Sequence, residues 1–343
     1  MRALIIPIGC LFALLSNLAA CQNSDEAQAA NLLPSWQSGE TKQRIIDFVE
    51  TVTDTDSANY VEIADRVAVF DHDGTLLPEF PLVQLQFAIY RLHQLVGEHP
   101  EWREQQPFKA ALEGDINYVE SSHDNLFEVL RATHTGVTQS EFATLVQEFF
   151  RTQQHPRFKQ LYTQTAYQPM VELLAYLQSK EFKTYIVSGG GVDFMRQISV
   201  AMYGIPRENI IGSWGKTRFE QRGDQTVIHR ESSFDVFLEK HIKAESIDHH
   251  LGKRPTIAVG NVGSGADVEM LLYSDSQSGP SLQLMIDHDD AVREFAYAEK
   301  VDKSLAASDR FSWQVVSVKN DWRQVFSFET EVDPIPDTVN QLL

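Results

Sequence analysis

The chain has 343 residues, with 29 Lys or Arg and 48 Asp or Glu, so its formal net charge is −19 at pH 7. Its basic residues are scattered, which disfavours nucleic-acid binding, because that function usually requires a basic stripe or patch. An acidic surface repels large polyanions, whereas screening beyond a Debye length of about 8 Å at physiological salt leaves small anions less affected.

The first 20 residues predict a cleaved lipoprotein signal peptide. Residues 3–18 form an apolar run after Arg2, and this run is shorter than the roughly 20 residues that a spanning helix needs. Residues 18–21, Leu-Ala-Ala-Cys, fit the bacterial lipobox, so we expect Cys21 to carry a lipid. Gln22 favours sorting to the outer membrane, which predicts an exported lipoprotein on the periplasmic face. An uncleaved anchor and a free exported protein remain alternatives.

The residues after the lipobox predict a flexible tether over 21–40, because its first part is small and polar. Cys10 and Cys21 are the only cysteines, and both precede the folded part. We therefore expect a fold without disulfides, for which a chain of this size buries enough core.

The next prominent feature is an apolar run, Val67–Phe70, followed by Asp-His-Asp-Gly-Thr. If this run is a buried strand, Asp71 and Asp73 point the same way while His72 points elsewhere. Two carboxylates that share one small volume repel each other unless a cation or a proton lies between them. This spacing predicts an active site, and the alternative is an ordinary strand exit with a turn.

The sequence Asp-x-Asp-Gly-Thr after an apolar strand resembles the first motif of the haloacid dehalogenase superfamily. The resemblance implies that Asp71 is the nucleophile and Asp73 the general acid/base. Because dehalogenase members lack the second acid, it also implies a phosphatase, similar to the phosphoserine phosphatase branch. The implied fold class is α/β, with a doubly wound, Rossmann-like parallel sheet and an inserted α-helical cap domain.

The second and third family motifs supply groups that bind phosphate. Ser188 follows a strand-like run and precedes a Gly-rich turn, so its hydroxyl and the N–H groups of Gly189 and Gly190 suit phosphate oxygens. The resemblance adds Gly74 and Thr75 to this set. It also implies a catalytic lysine, for which Lys243 matches the family pattern best and Lys240 is the rival.

The fourth family motif departs from its usual form. It normally contains two acids, but here it has Asn261 in place of the first acid and two extra residues before Asp267. Asn offers a carbonyl oxygen to a hard cation but no charge. The resemblance therefore implies Mg²⁺ as cofactor, held by Asp71, the backbone carbonyl of Asp73 and Asp267, with Asn261 as a direct or water-mediated ligand.

Residues 78–168 predict the helical cap, between core segments 41–77 and 169–330 and ahead of a loose tail, 331–343. Two apolar stripes at helical spacing predict the core of this cap. One contains Leu85, Ile89, Leu92 and Val96, and the other follows a capping box of Thr138 and Glu141 and contains Phe142, Leu145, Val146, Phe149 and Phe150.

Glu79 lies near the position at which the phosphoserine phosphatase branch holds the substrate amine, although it fits a solvated loop acid as well. Later in the chain, 282–286 and 314–318 predict the last strands. Between them, residues 288–290, His-Asp-Asp, indicate capping groups more than metal ligands, because consecutive side chains do not converge.

Together these features predict a Mg²⁺-dependent phosphomonoester hydrolase that forms an aspartyl-phosphate on a small phosphorylated metabolite, such as a phosphoserine-like ester. One alternative is a phosphomutase or phosphotransferase. The other is a non-catalytic surface lipoprotein that binds phosphorylated ligands or protein partners. The expected partners are a small phosphorylated substrate and a membrane through the lipid on Cys21, without nucleic acid.

Overall fold

The computed structural model describes residues 32–263, 265–297 and 301–329. The predicted signal peptide, Cys21, the first part of the tether and the tail 331–343 lie outside the described residues. Within the described part, no helix has the length and apolarity that a membrane crossing requires.

The core is one seven-stranded sheet with the order β4-β3-β2-β1-β5-β6-β7. Neighbouring strands are parallel except β3 and β4, which pair antiparallel. The predicted α/β class with a doubly wound sheet is therefore confirmed. The strands are β1 Val67–Phe70, β2 Lys183–Gly191, β3 Ile210–Arg222, β4 Gln225–Val236, β5 Ile257–Asn261, β6 Leu282–Asp287 and β7 Gln314–Ser317.

Thirteen α-helices are found among the described residues. Those before β2 are α1 Glu40–Thr53, α2 Val83–Leu95, α3 Phe108–Glu113, α4 Ile116–Glu120, α5 His123–His134, α6 Gln139–Thr152 and α7 Gln168–Ser179. Those after β2 are α8 Val192–Met195, α9 Ser199–Tyr203, α10 His241–Leu251, α11 Val268–Asp275, α12 Asp302–Phe311 and α13 Val318–Asp321.

Alternation along the central strand β1 divides the core between the two faces of the sheet. Ala68 and Phe70 pack in a cluster with residues of α1 and α7, and Val67 and Val69 pack in a second cluster with residues of α10 and α11. A parallel strand that is covered on both faces has to be apolar throughout, which explains the unbroken run Val67–Phe70. Its burial leaves the polar residues at its carboxyl end as the first that can reach a cavity.

The direction in which successive strands are added to the sheet reverses at β1. Strands β2 and β3 extend the sheet on one side of β1, and β5, β6 and β7 extend it on the other. Ligands of doubly wound sheets bind at the carboxyl ends of the strands that flank such a reversal. The residues that follow β1 and β5 are the first and fourth motifs, so the topology brings together segments nearly 190 residues apart.

The helices between β1 and β2 do not form one separate core. The stripe on α2 does pack in a third cluster, where Leu85, Leu92 and Val96 are buried. The stripe on α6 packs differently from the prediction: Phe142 and Phe149 belong to the main core cluster and contact Phe87 edge to face. The capping box of Thr138 and Glu141 is present as predicted, so the local signal was right and only the packing partner was wrong.

The long antiparallel ribbon β3–β4 was not predicted. It reaches the cap side of the molecule, where the Gly136 N–H donates to the Arg230 carbonyl at 3.1 Å and the Arg230 N–H donates to the Val137 carbonyl at 2.9 Å. The Arg230 guanidinium also binds Asp193 and lies 4.0 Å from the centre of the Phe142 ring. The ribbon therefore ties the segment before α6 to the core.

The predicted tether is too long at its carboxyl end. Leu33 is fully buried, and the buried Trp36 donates from Nε1 to the Pro169 carbonyl at 2.9 Å and packs edge to face on Trp322. Residues 32–39 therefore belong to the folded core. Burial of these two large apolar side chains outweighs the polar composition of their neighbours.

Candidate active site

A buried ammonium group joins two carboxylates at the carboxyl edge of the sheet. Lys243, on α10, places Nζ 2.7 Å from Oδ1 of Asp71 and 2.5 Å from Oδ1 of Asp267. Asp71 directly follows β1, and Asp267 directly precedes α11. Lys243 is 2% exposed and Asp267 1% exposed, so these charges interact with little screening by water.

The burial of this cluster perturbs both ends of the ion pair. Burial, followed by the charge of Asp267, raises the pKa of Asp71 to about 8, and Lys243 only partly opposes this rise. Burial alone would lower the pKa of Lys243, but the charges of Asp267 and Asp71 raise it above its usual value. Lys243 therefore stays charged at neutral pH, while Asp71 needs positive charge nearby to become an ionised nucleophile.

The Asn261 amide lies where the oxygen atoms of this cluster converge. Its Nδ2 is 3.0 Å from the Asp73 carbonyl oxygen and 3.4 Å from Oδ2 of both Asp71 and Asp267. Its Oδ1 accepts a hydrogen bond from the Gly263 N–H at 2.8 Å. This bond fixes the orientation of the amide, so the amino group and not the carbonyl faces the three oxygens.

The turn after Asp73 packs directly beneath Asn261. Gly74 has φ +75°, and a Cβ at this position would lie 2.9 Å from Nδ2 of Asn261. Only glycine satisfies both the left-handed backbone and the close contact. Thr75 is fully buried, with Oγ1 3.4 Å from the same Nδ2.

A buried histidine supports this turn from the side of β6. His288 has Nε2 2.7 Å from the Gly74 carbonyl and Nδ1 2.6 Å from Oε1 of Glu294. With Glu294 ionised, both partners are acceptors, so both ring nitrogens donate and the ring is an imidazolium. Burial opposes this charge, but Glu294 raises the pKa of His288, and the Tyr167 hydroxyl donates to Glu294. Of the other two residues of the His-Asp-Asp sequence, Asp290 caps the backbone that follows it, whereas Asp289 accepts a hydrogen bond from the Lys319 N–H on the distant helix α13.

The second motif forms the opposite wall. Oγ of Ser188 accepts a hydrogen bond from the Gly190 N–H at 3.1 Å, and the Gly191 N–H donates to Oε1 of Gln84 at 2.7 Å. Gln84 lies on α2, so this bond attaches the cap to the glycine loop. Of the predicted phosphate-binding groups, the Gly190 N–H is thus already engaged with Ser188.

One cavity of about 210 Å³ lies among these groups. Nine predicted site residues line it: Asp71, Asp73, Glu79, Ser188, Gly189, Gly190, Lys243, Asn261 and Asp267. Gly74 and Thr75 do not line it, because they lie behind Asn261. That these two bind phosphate stays a prediction, and in this structure both lie against Asn261 and support the wall.

Two acids in the cavity have carboxylate oxygens that accept no hydrogen bond of normal geometry among the described residues. They are Oδ1 of Asp73, with Nδ1 of His72 3.6 Å away, and Oε2 of Glu79. Burial, together with the charge of Asp73, raises the pKa of Glu79 to about 7, and the nearby Tyr297 hydroxyl only partly opposes this rise. Both carboxylates are therefore available to a proton or a ligand.

The sequence analysis missed Gln84 and Glu294, and it missed the role of His288, for which only metal binding and capping were weighed. No local pattern marks these roles, since Gln84 reaches a segment about a hundred residues away and His288 reaches one more than two hundred residues away.

The family model for haloacid dehalogenase-like hydrolases matches residues 68–272, which is more than half of the chain. The chain therefore belongs to this family of hydrolases, as its motifs predicted. No curated protein matches the chain in sequence.

Three solved structures are similar to the chain. A conserved protein of unknown function from Anaerococcus prevotii has a TM-score of 0.51 at 14% identity, over 80% of this chain and 91% of that one. At this identity the likeness concerns the fold alone. A phosphoserine phosphohydrolase-like protein from Francisella tularensis has a TM-score of 0.37 at 17% identity, over 73% and 94%. A probable phosphoserine phosphatase from Vibrio cholerae has a TM-score of 0.36 at 14% identity, over 75% and 70%.

The Lys243 ion pairs lead to a test of stability. We expect Lys243→Met to lower the free energy of unfolding by about 3–5 kcal/mol, because it leaves buried carboxylates without their partner. Lys240→Met removes the same charge from an exposed residue and should change that free energy by less than about 0.5 kcal/mol. Urea denaturation of the two variants without added metal makes the comparison, and equal losses would contradict the proposed importance of Lys243.

Proposed function

We propose that the chain is a phosphomonoester hydrolase that uses Asp71 as its nucleophile and acts on a small phosphorylated metabolite. The observation that carries this proposal is a buried Asp71, held by Lys243, that opens into the same cavity as Asp73 and Ser188. Phosphoryl transfer to a carboxylate requires a nucleophile, a group that gives and takes protons, and positive charge beside the phosphate. This cavity contains a carboxylate for each of the first two roles and the Lys243 ammonium for the third.

In the proposed reaction, a carboxylate oxygen of Asp71 forms a bond to phosphorus as the ester P–O bond breaks. The carboxylic acid form of Asp73 gives its proton to the departing oxygen. The Asp73 carboxylate then takes a proton from water, which attacks the aspartyl phosphate and restores Asp71 with release of phosphate. Lys243 offsets the repulsion between the Asp71 carboxylate and the phosphate dianion, and the Ser188 hydroxyl suits a phosphate oxygen.

The donor set suits a divalent cation by its chemistry. Oδ2 of Asp71, the Asp73 carbonyl and Oδ2 of Asp267 all lie within 3.4 Å of Nδ2 of Asn261, and Mg²⁺ takes such oxygen ligands. An ion at this point would displace the Asn261 amino group from these oxygens. Asp71, Asp73 and Asp267 would hold the ion, while Asn261 contributes least, because Gly263 already binds its Oδ1. Bound there, Mg²⁺ would supply positive charge beside the transferring phosphoryl group.

The two acids of the first motif should differ in their effect on turnover. We expect Asp71→Asn to abolish phosphate release, because the nucleophile is lost. Asp73→Asn should leave a residual rate lower by about 10²–10⁴-fold, which is the usual contribution of general acid/base catalysis. The measurement is phosphate release by residues 22–343 from a panel of phosphomonoesters, with Mg²⁺ or with chelator.

The same experiment separates the alternatives. Release that survives Asp71→Asn would contradict the proposed mechanism. No release from any ester by folded protein would favour a binding role. A stable aspartyl phosphate that is discharged only by an added acceptor would favour a phosphomutase or phosphotransferase.

The altered fourth motif gives a prediction about metal affinity. Asn261→Asp adds a carboxylate beside Asp71 and Asp267 and should lower the dissociation constant for Mg²⁺ by about tenfold or more, since ligand charge tunes such sites. Isothermal titration with Mg²⁺ measures it without any substrate. The control is Asn320→Asp, which adds the same charge at an exposed position on α13. An unchanged affinity in Asn261→Asp would contradict the placement of the ion.

We also propose that the enzyme is exported and held at the periplasmic face, and most simply at the outer membrane, by a lipid on Cys21. The support is the sequence Leu-Ala-Ala-Cys after a short apolar run. In cells given radiolabelled palmitate, the protein should become labelled, and Cys21→Ser should remove the label and release the protein from the membrane fraction. Labelling that persists in Cys21→Ser would contradict this proposal.

A further inference from the structure

The cavity is lined by two chemically different sets of residues. One set is the charged groups around Asp71, and the other set is apolar. The apolar set consists of Leu82, Leu85, Leu126, Leu130, Phe237 and Leu238. If phosphate lies against Asp71, the group esterified to it shares the cavity with this apolar set.

The apolar lining residues come from three separate segments of the chain. Leu85 is carried by α2 and Leu82 lies just before it, whereas Leu126 and Leu130 lie one turn apart on α5 and so share a face. Phe237 lies between β4 and α10 and packs edge to face on Phe127 at 5.3 Å. Because three distant segments place apolar groups on one cavity, the lining belongs to the site and is not a by-product of one amphipathic helix.

The charges around the cavity are almost all of one sign. Besides the acids of the catalytic cluster, Glu79 and Glu239 line it. Lys243 is the only cation among the described lining residues, and both Asp71 and Asp267 already bind it. Among these lining residues, a negative group on the esterified part would therefore meet carboxylates, leucines and the neutral Gln84 amide, without a cation to pair with it.

We propose that the site selects phosphomonoesters whose leaving group is small, presents an apolar surface and carries no negative charge. This inference rests on the proposed function and names its substrate class. The leaving group is bounded in size, because the cavity of about 210 Å³ is below the roughly 300–1,000 Å³ of pockets for drug-sized ligands.

A site that selects leaving groups without negative charge disfavours phosphoserine as the substrate. Glu79 suits the amine of phosphoserine, as the resemblance implied, but the carboxylate of phosphoserine has no free cation to pair with among the described lining residues. An ionised group taken from water without a partner is costly. The same amine without the carboxylate avoids that cost, and an alkyl leaving group gains burial against the leucines.

Two pairs of esters test the two parts of the proposal on the wild-type enzyme. Phosphoethanolamine and O-phosphoserine differ only by a carboxylate, and we expect kcat/KM to favour phosphoethanolamine by about 100-fold or more, because an unpaired buried charge discriminates strongly. The esters n-butyl phosphate and glycerol 3-phosphate are similar in size, and we expect about tenfold in favour of the butyl ester. Equal or reversed preference in either pair would overturn the inference.

A variant that adds a cation to the cavity gives an independent test. Leu126→Arg should reduce the preference for phosphoethanolamine over O-phosphoserine by about tenfold or more, since it provides a partner for the carboxylate. Leu145→Arg makes the same change at a half-buried leucine of α6 that does not line the cavity, and should leave the preference unchanged. A preference that is unaffected by Leu126→Arg in folded protein would overturn the inference.

These outcomes separate the inference from the proposed function. If no ester is hydrolysed in a manner that depends on Asp71, both fail. If hydrolysis depends on Asp71 but O-phosphoserine or glycerol 3-phosphate is preferred, the proposed function stands and the inference fails. The wild-type ratios do not depend on whether a variant folds.

Discussion

The ion pairs of Lys243 with Asp71 and Asp267 are the interactions on which the rest of the site depends. Three charges are removed from water here, and such burial is favourable only where geometry is good and each charge has a partner. The ammonium at 2.7 and 2.5 Å meets both conditions. It also joins the segments that follow β1 and β5 to α10. One side chain therefore holds together the walls of the crevice at the point where the strand order reverses.

The fourth motif shifts the balance of charge around this ion pair. With Asn261 in place of an acid, the cluster keeps a polar group at the convergence of the oxygens but loses one negative charge. The Asn261 amino group contacts three oxygens that would otherwise repel one another, and Gly263 orients it. The wall behind it is equally constrained, because Gly74 touches the amide and the charged His288 holds the Gly74 carbonyl.

The cap supplies mainly apolar side chains to the cavity and few charged ones. Leucines of α2 and α5 line the same small cavity as the catalytic groups, and Gln84 attaches α2 to Gly191. An apolar cover excludes water, and the electrostatic effect of Lys243 on a bound phosphate is then larger than it would be in solvent. The protein surface is acidic, and the described lining of the cavity has no second cation. Both features disfavour a substrate with a negative group in addition to its phosphate.

The sequence by itself determined the parts that local chemistry fixes. A buried parallel strand has to be apolar, so Val67–Phe70 located β1 and the acids at its end, and the capping box located the start of α6. What only the tertiary structure decided were contacts between distant segments. The α6 aromatic face packs on the main core, Leu33 and Trp36 join that core, and Gly74 and Thr75 lie behind Asn261. Periodicity shows that a face is buried but not against which partner, because the partner is set by chain topology. For the same reason, the role of His288 and the apolar lining of the cavity could not be predicted before the fold brought their segments together.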